Sequence, residues 1–140
     1  MMQVCEDALA AAIDALTDWY VGLVLPLWAR VGTDEFGAFY ESLDFSGRPL
    51  TGQARRVRVQ CRQVHTFTGA ARRGWLSEGE AIAARAFRRL VETACPGDGA
   101  RGCIHTLDDA GAVVSELRDL YDQAFLLLAC ASRVDAANDP

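Results

Sequence analysis

Two stretches of this chain repeat. Residues 37–47, GAFYESLDFSG, and residues 102–111, GCIHTLDDAG, share a glycine, an extended run, Leu-Asp and a closing glycine turn. Each precedes a helical segment, RVRVQCRQVHTF or RDLYDQAFLLLA, with a glutamine two residues before a large side chain. Gln60 thus corresponds to Gln123, and Arg62 to Phe125, at an offset of 63 residues. The unit is hairpin, helix, helix, with a period of roughly 65 residues. Arrays of such units normally need about three copies to bury their faces, because one unit alone leaves an apolar side uncovered. The 140 residues, 51% hydrophobic and 24% charged, have the composition of one globular domain. The repeat instead makes residues 1–140 fewer than two full units of a larger helical array.

Hydrophobic spacing places four helices in it. Leu9, Ile13, Leu16, Tyr20, Leu23 and Leu27 recur at steps of four and three, one face of a first helix that stops at Gly32. Pro26 is expected to kink it or open its last turn. Residues 36–50 alternate with period two and contain Ser46-Gly47, a short hairpin. Val57, Cys61, Val64, Thr68 and Ala71 mark the inner face of a helix over 54–72. A third helix over 78–94 opens on Ser77-Glu78-Gly79-Glu80, a capping box, and buries Ala83, Ala86, Phe87, Leu90, Val91 and Ala94. A second hairpin-like stretch spans 102–114. The fourth helix, over 117–132, carries an inner stripe of Leu117, Leu120, Tyr121, Ala124, Leu128 and Ala131. The fold class is all-α, with short β-hairpin-like loops between helices.

Charge removes several functions. All 14 basic residues are arginine, against 19 carboxylates, for a net charge of −5. A nucleic-acid or anionic-membrane partner calls for the opposite sign. Without lysine there is neither a Schiff-base nucleophile nor a phosphate-loop lysine. The start, MMQVCEDALA, lacks the basic flank of a signal peptide. The longest uninterrupted apolar run, Tyr20 to Ala29, is far short of the ~20 residues that span a bilayer. A cytoplasmic protein with no membrane partner is expected. The cysteines are Cys5, Cys61, Cys95, Cys103 and Cys130, odd in number and without a CxxC pair. They read as buried reduced thiols, and no closely spaced ligand set predicts a metal.

The chemistry-bearing residues concentrate on two helices. Arg55, Arg58 and Arg62 stand at i, i+3 and i+7, and His65 extends their stripe. Guanidinium forks match carboxylates, phosphates and paired hydroxyls, so the stripe is either a solvated face or a wall that binds an anion or polyol. His65 and His105 are the only side chains that ordinarily titrate near neutrality. Tyr121 and Gln123 open the fourth helix beside Asp119 and Asp122, whose charges suit a helix start.

Three motifs in order, GAFYESLDxxGRPL, RRVRVQCRQ and DLYDQAF, resemble the N-terminal part of the N-acylglucosamine 2-epimerase family, which includes mannose isomerases and cellobiose 2-epimerases. The resemblance spans about residues 15–132. It implies an (α/α)6 barrel, of which four helices are present, with hairpin loops crowding the sugar-binding end. It implies aldose–ketose isomerisation or C2 epimerisation of a mannose- or N-acylglucosamine-type sugar, by proton transfer through an enediol-like intermediate. The partner is a small sugar or sugar phosphate, and no cofactor is required. Arg62 matches the arginine of the family's Q-x-R motif, and Tyr121 and Gln123 match its later tyrosine-containing motif. Arg58 falls where some members place a tryptophan against the sugar, His65 where they carry an aromatic residue. The family's acid–base histidines lie on later helices, so 140 residues alone are not expected to turn over substrate. The alternative is a non-enzymatic helical interaction module, and uncovered apolar faces open the way to self-association.

Overall fold

The computed structural model describes residues 2–97 and 101–138, with side chains from Glu6 to Gly97 and from Arg101 to Ala136. A continuous helical rod opens the chain: α1 (Met2–Trp19), a π-helical turn (Tyr20–Val24) and α2 (Leu25–Val31). Pro26 lies in the first turn of α2. It has no N–H, and its ring crowds the carbonyl one turn back, which loosens the α ladder at the residues that turn wide. The remaining elements are β1 (Arg55–Arg56), α3 (Val57–Arg72), α4 (Gly79–Ala94), β2 (Thr106–Leu107), β3 (Val113–Ser115) and α5 (Leu120–Asn138). The first rod, α3, α4 and α5 are the four expected helices. The three strands form one small antiparallel sheet in the order β1-β2-β3, which ties the start of α3 to the second hairpin.

One turn is used three times. In Asp34-Glu35-Phe36-Gly37, Asp44-Phe45-Ser46-Gly47 and Asp108-Asp109-Ala110-Gly111, the aspartate Oδ1 accepts the N–H groups two and four residues on. The aspartate carbonyl accepts the glycine N–H, and each glycine has positive φ. That conformation strains any residue with a Cβ, so glycine closes all three turns. The second and third were visible as Leu-Asp before a glycine. The first, just ahead of the predicted hairpin, was not.

The core gathers around α3, which packs against both α4 and α5. Phe39 and Phe67 stack at 5.2 Å between ring centres, both fully buried, with Leu25, Val57, Cys61, Val64, Leu90 and Ile104 around them. Four cysteines, Cys61, Cys95, Cys103 and Cys130, are free thiols. Burial pushes Cys103 up to about 11 and raises Cys61 and Cys95, so these thiols stay protonated and unreactive. Cys5 lies outside the described side chains.

Four expectations are corrected. The stripe Leu9, Ile13, Leu16 and Leu23 is not a core face: these side chains are 54–62% exposed. The rod Glu6–Val31, with a mean hydropathy of 1.5 in its most apolar window, is long and apolar enough to cross a membrane, which counting only Tyr20 to Ala29 had missed. The α5 stripe is turned as well. Leu117, Leu120 and Tyr121 are exposed, and the buried side of α5 carries Asp122, Ala129 and Ser132. Finally, the capping box does not form. The Ser77 hydroxyl bonds Glu78, and Glu80 turns away to make a two-pronged ion pair with Arg133 of α5, at 2.6 and 2.7 Å.

Candidate functional site

The two equivalent glutamines are hairpin clamps. The Phe39 N–H donates to Gln60 Oε1 at 2.8 Å, and Gln60 Nε2 donates back to the Phe39 carbonyl at 2.7 Å. Cys103 and Gln123 repeat the pattern at 2.8 and 2.9 Å. Each side chain serves as a missing strand partner and pins a hairpin to the helix that follows. Gln123, read from the sequence as a sugar contact, therefore spends one donor and one acceptor on the protein backbone.

Between the hairpins lies a charged junction. Arg55 left the predicted stripe for strand β1, where its side chain is buried over the Tyr40 ring at 4.9 Å. It donates to Asp34 at 2.5 Å and to Asp109 at 2.9 Å, one carboxylate from each hairpin. Asp109 is held below its ordinary value of 3.8, chiefly by the Gly52 N–H and then by Arg55. Glu80 is held below 4.5 by its bonds to Arg133. Carboxylates depressed in this way contribute stability that is complete above their unfolded values and is lost as pH falls through the lower folded ones. The melting temperature should hold level from pH 7 to about 5 and fall steadily below about 4. A midpoint that rises on acidification would contradict these pairings.

Arg58, Arg62 and His65 do share a face of α3, and that face meets α5. Arg58 Nη1 donates to Asp122 at 3.2 Å and lies over Tyr121 at 5.7 Å. Arg62 covers the Phe125 ring at 4.5 Å, and Tyr121 meets Phe125 edge-on at 5.0 Å. His65 Nδ1 pairs with Ser132 Oγ at 2.8 Å. The result is a ribbon of two guanidinium groups and two aromatic rings, with Tyr121 half exposed. On its other side Arg62 borders a cleft of about 280 Å³ between the π-helical turn and α3, lined also by Tyr20, Trp28, Gln63 and Thr66.

Asp122 sits beneath the ribbon, fully buried. It accepts from Arg58 and pairs with His105 Nδ1 at 2.5 Å. Asp119 caps α5 by accepting the Asp122 N–H at 2.8 Å and lies 3.5 Å from His105. Sequence reading noted Asp122 only as a helix-start charge, and nothing in its spacing marked it as the buried hub. His105, Asp119 and Asp122 bring possible ligand atoms within 4.8 Å of one another. Arg58, already against Asp122, supplies positive charge that a bound cation would have to oppose.

A helical array with hairpins clamped to the helices that follow them is the architecture of part of an (α/α)6 barrel. The family model for N-acylglucosamine 2-epimerase (GlcNAc 2-epimerase) matches residues 37–140, and the chain belongs to that family. It is 38% identical to a mannose-6-phosphate isomerase of Rhizobium meliloti (strain 1021) over 117 residues, 83% of this chain and 30% of that protein. Among solved structures, the cellobiose 2-epimerase of Spirochaeta thermophila DSM 6192 matches 95% of this chain with 33% of its own, at a TM-score of 0.83 and 23% identity. The cellobiose 2-epimerase of Bacillus thermoamylovorans B4167 matches 79% with 28% of its own, at 0.71 and 25% identity. The chain therefore spans about a third of the length of these relatives.

Proposed function

We propose that this chain forms one wall of a sugar site in an isomerase or 2-epimerase, acting on a mannose- or N-acylglucosamine-type sugar, free or phosphorylated. The observation that carries this reading is the α3–α5 ribbon. Aromatic rings offer an apolar surface to the C–H face of a sugar, and guanidinium groups donate paired hydrogen bonds to its hydroxyls, carbonyl or phosphate. Arg62 and Tyr121 supply the exposed contacts. Arg58 stands behind Tyr121, and Gln123 fixes the hairpin beside it. The relatives' names support a reaction at C2: an epimerase inverts that carbon and a mannose isomerase oxidises it to a carbonyl. Both need a proton removed next to a carbonyl, through an enediol-like intermediate.

Neither histidine of this chain is assigned as the base. The family resemblance puts the acid–base histidines on later helices, outside this chain, and we expect this chain alone to exchange C2 protons at the background rate. Free thiols suit a reducing, cytoplasmic setting. A second reading, a non-enzymatic helical interaction module, draws on the uncovered stripe of α1.

Titration of the 15N-labelled chain with mannose, mannose 6-phosphate and N-acetylglucosamine tests the proposal. Shifts should cluster at Arg58, Arg62, Tyr121 and Gln123 for at least one sugar. Arg62→Ala should weaken that binding by at least about tenfold, or ~1.4 kcal/mol. Shifts confined to other parts of the chain, or none with any sugar, would sink it.

A further inference from the structure

The α3–α5 ribbon is rich in hydrogen-bond donors and short of acceptors. Guanidinium groups donate and accept nothing. Gln123 spends Oε1 on the Cys103 N–H, and both oxygens of Asp122 are engaged beneath the surface. A sugar hydroxyl is donor and acceptor at once, so a wall of donors satisfies only half of it. The other half is supplied from the second hairpin.

His105 is fixed there by its backbone. Its N–H donates to the Ser115 carbonyl at 3.2 Å, and its own carbonyl accepts the Val57 N–H at 2.9 Å. The residue thus bridges β3 and the start of α3. Its imidazole turns to Asp122: Nδ1 lies 2.5 Å from Oδ2, while Arg58 Nη1 lies 3.2 Å from Oδ1. One fully buried carboxylate therefore sets the imidazole beside the guanidinium that lies over Tyr121. Arg58 already balances the charge of Asp122, so what the carboxylate adds to His105 is orientation. A carboxylate paired with arginine only accepts, so Nδ1 carries the ring proton, and the neutral ring keeps a lone pair on Nε2. The ring meets Asp122 and Asp119 through Nδ1 in both cases. Among the described residues no buried side-chain nitrogen or oxygen lacks a partner, so the unbonded Nε2 of this 24% exposed side chain reaches the surface.

We propose, resting on the sugar-wall reading above, that His105 is a further sugar-binding residue: a substrate hydroxyl donates to its Nε2, and Asp122 is the positioning residue that fixes the tautomer. An acceptor beside a donor suits the neighbouring hydroxyls of a sugar ring, each of which gives one hydrogen bond and takes another. The role is binding, and the proton at C2 is left to groups elsewhere.

Ring 15N spectra of the full chain, labelled at its two histidines and kept alkaline enough to hold the rings neutral, are the test. His105 should show the Nδ1–H tautomer before any sugar is added. With whichever of mannose, mannose 6-phosphate and N-acetylglucosamine shifts Arg62 and Tyr121, its Nε2 signal should move to lower frequency, as an unprotonated nitrogen does on accepting a hydrogen bond. His105→Phe keeps a ring without nitrogen and should weaken that sugar at least about fivefold. Asp122→Asn turns an N–H toward either Arg58 or His105, so it should move part of the ring proton to Nε2 and weaken the same sugar. The first two measurements use the parent chain, so they decide the matter even where a variant fails to fold. A free ring with its proton on Nε2 overturns the proposal before any sugar is added. An Nε2 signal that stays still while Arg62 and Tyr121 shift, or a His105→Phe chain that binds as tightly as the parent, overturns it and leaves the sugar wall standing. Asp122→Asn that lowers the melting temperature with tautomer and affinity unchanged overturns the positioning role. No shift at any ribbon residue overturns the wall, and this contact with it.

Discussion

Arg55→Ala should lower the unfolding free energy by about 3 kcal/mol, the cost of removing one partner from a buried ion pair. Its guanidinium holds Asp34 from the first hairpin and Asp109 from the second, with Tyr40 against its face. Asp34 Oδ1 already closes a turn, and Asp109 also takes the Gly52 N–H, so neither carboxylate can swing freely to water. Without the cation, two negative charges remain close together and the Asp34 charge stays largely buried. Asp109 is one-third exposed and partly screened, which keeps the loss near the lower end of the range for buried pairs. In a chain of this size the melting temperature should fall by roughly 10 °C. Arg55→Lys should restore only part of the loss, since a single ammonium cannot fork to both hairpins. A variant that melts within a degree or two of the parent would show that the hairpins hold together without this junction.

Gln60→Leu is the second large effect. The side chain is buried, and it answers both backbone groups of Phe39, which is itself fully buried. Leucine fills similar space but leaves one N–H and one carbonyl without partners, at about 1–3 kcal/mol each. A total loss of about 3 kcal/mol is expected, together with loss of hydrogen-exchange protection at the Phe39 amide. The equivalent Gln123→Leu should cost about half as much, because Gln123 is partly exposed and water can replace it. Gln60→Glu should cost at least as much as leucine at neutral pH: its buried carboxylate accepts the Phe39 N–H but sets a charged oxygen against the carbonyl. Urea melts on the three variants give the ranking. Equal losses at 60 and 123 would contradict the burial difference.

These clamps also show how far the sequence could be read. The offset of 63 residues paired Gln60 with Gln123 correctly, and it set four helices and two hairpins in order. It could not say what a glutamine amide would meet, and the bonds of Gln123 to the Cys103 backbone came only with the structure. The α5 stripe failed for a related reason. Periodicity follows apolar residues, but the side of α5 that reaches α3 is polar, with Asp122 and Ser132 bonded to Arg58 and His65. The leucines that drew the stripe face the uncovered side. Arg55 read as part of a helical face, because two residues of strand before a helix leave no periodic mark. The grouping of Arg58 and Arg62 on one face was legible, since both lie well inside α3.

The π-helical turn Tyr20–Val24 has a mechanical consequence. A wide turn holds about one residue more than an α turn, and one residue corresponds to roughly 100° of rotation about the axis. Within it Leu23 faces outward, and just beyond it Leu25 is buried beside the core. The turn is a phase shifter: α2 is fixed against α3, and the five turns of α1 are aimed by how many residues lie between them. Deleting one residue there would restore a uniform pitch and swing Leu9, Ile13 and Leu16 to a new bearing. A single codon thus sets the direction in which the first helix looks for a neighbour.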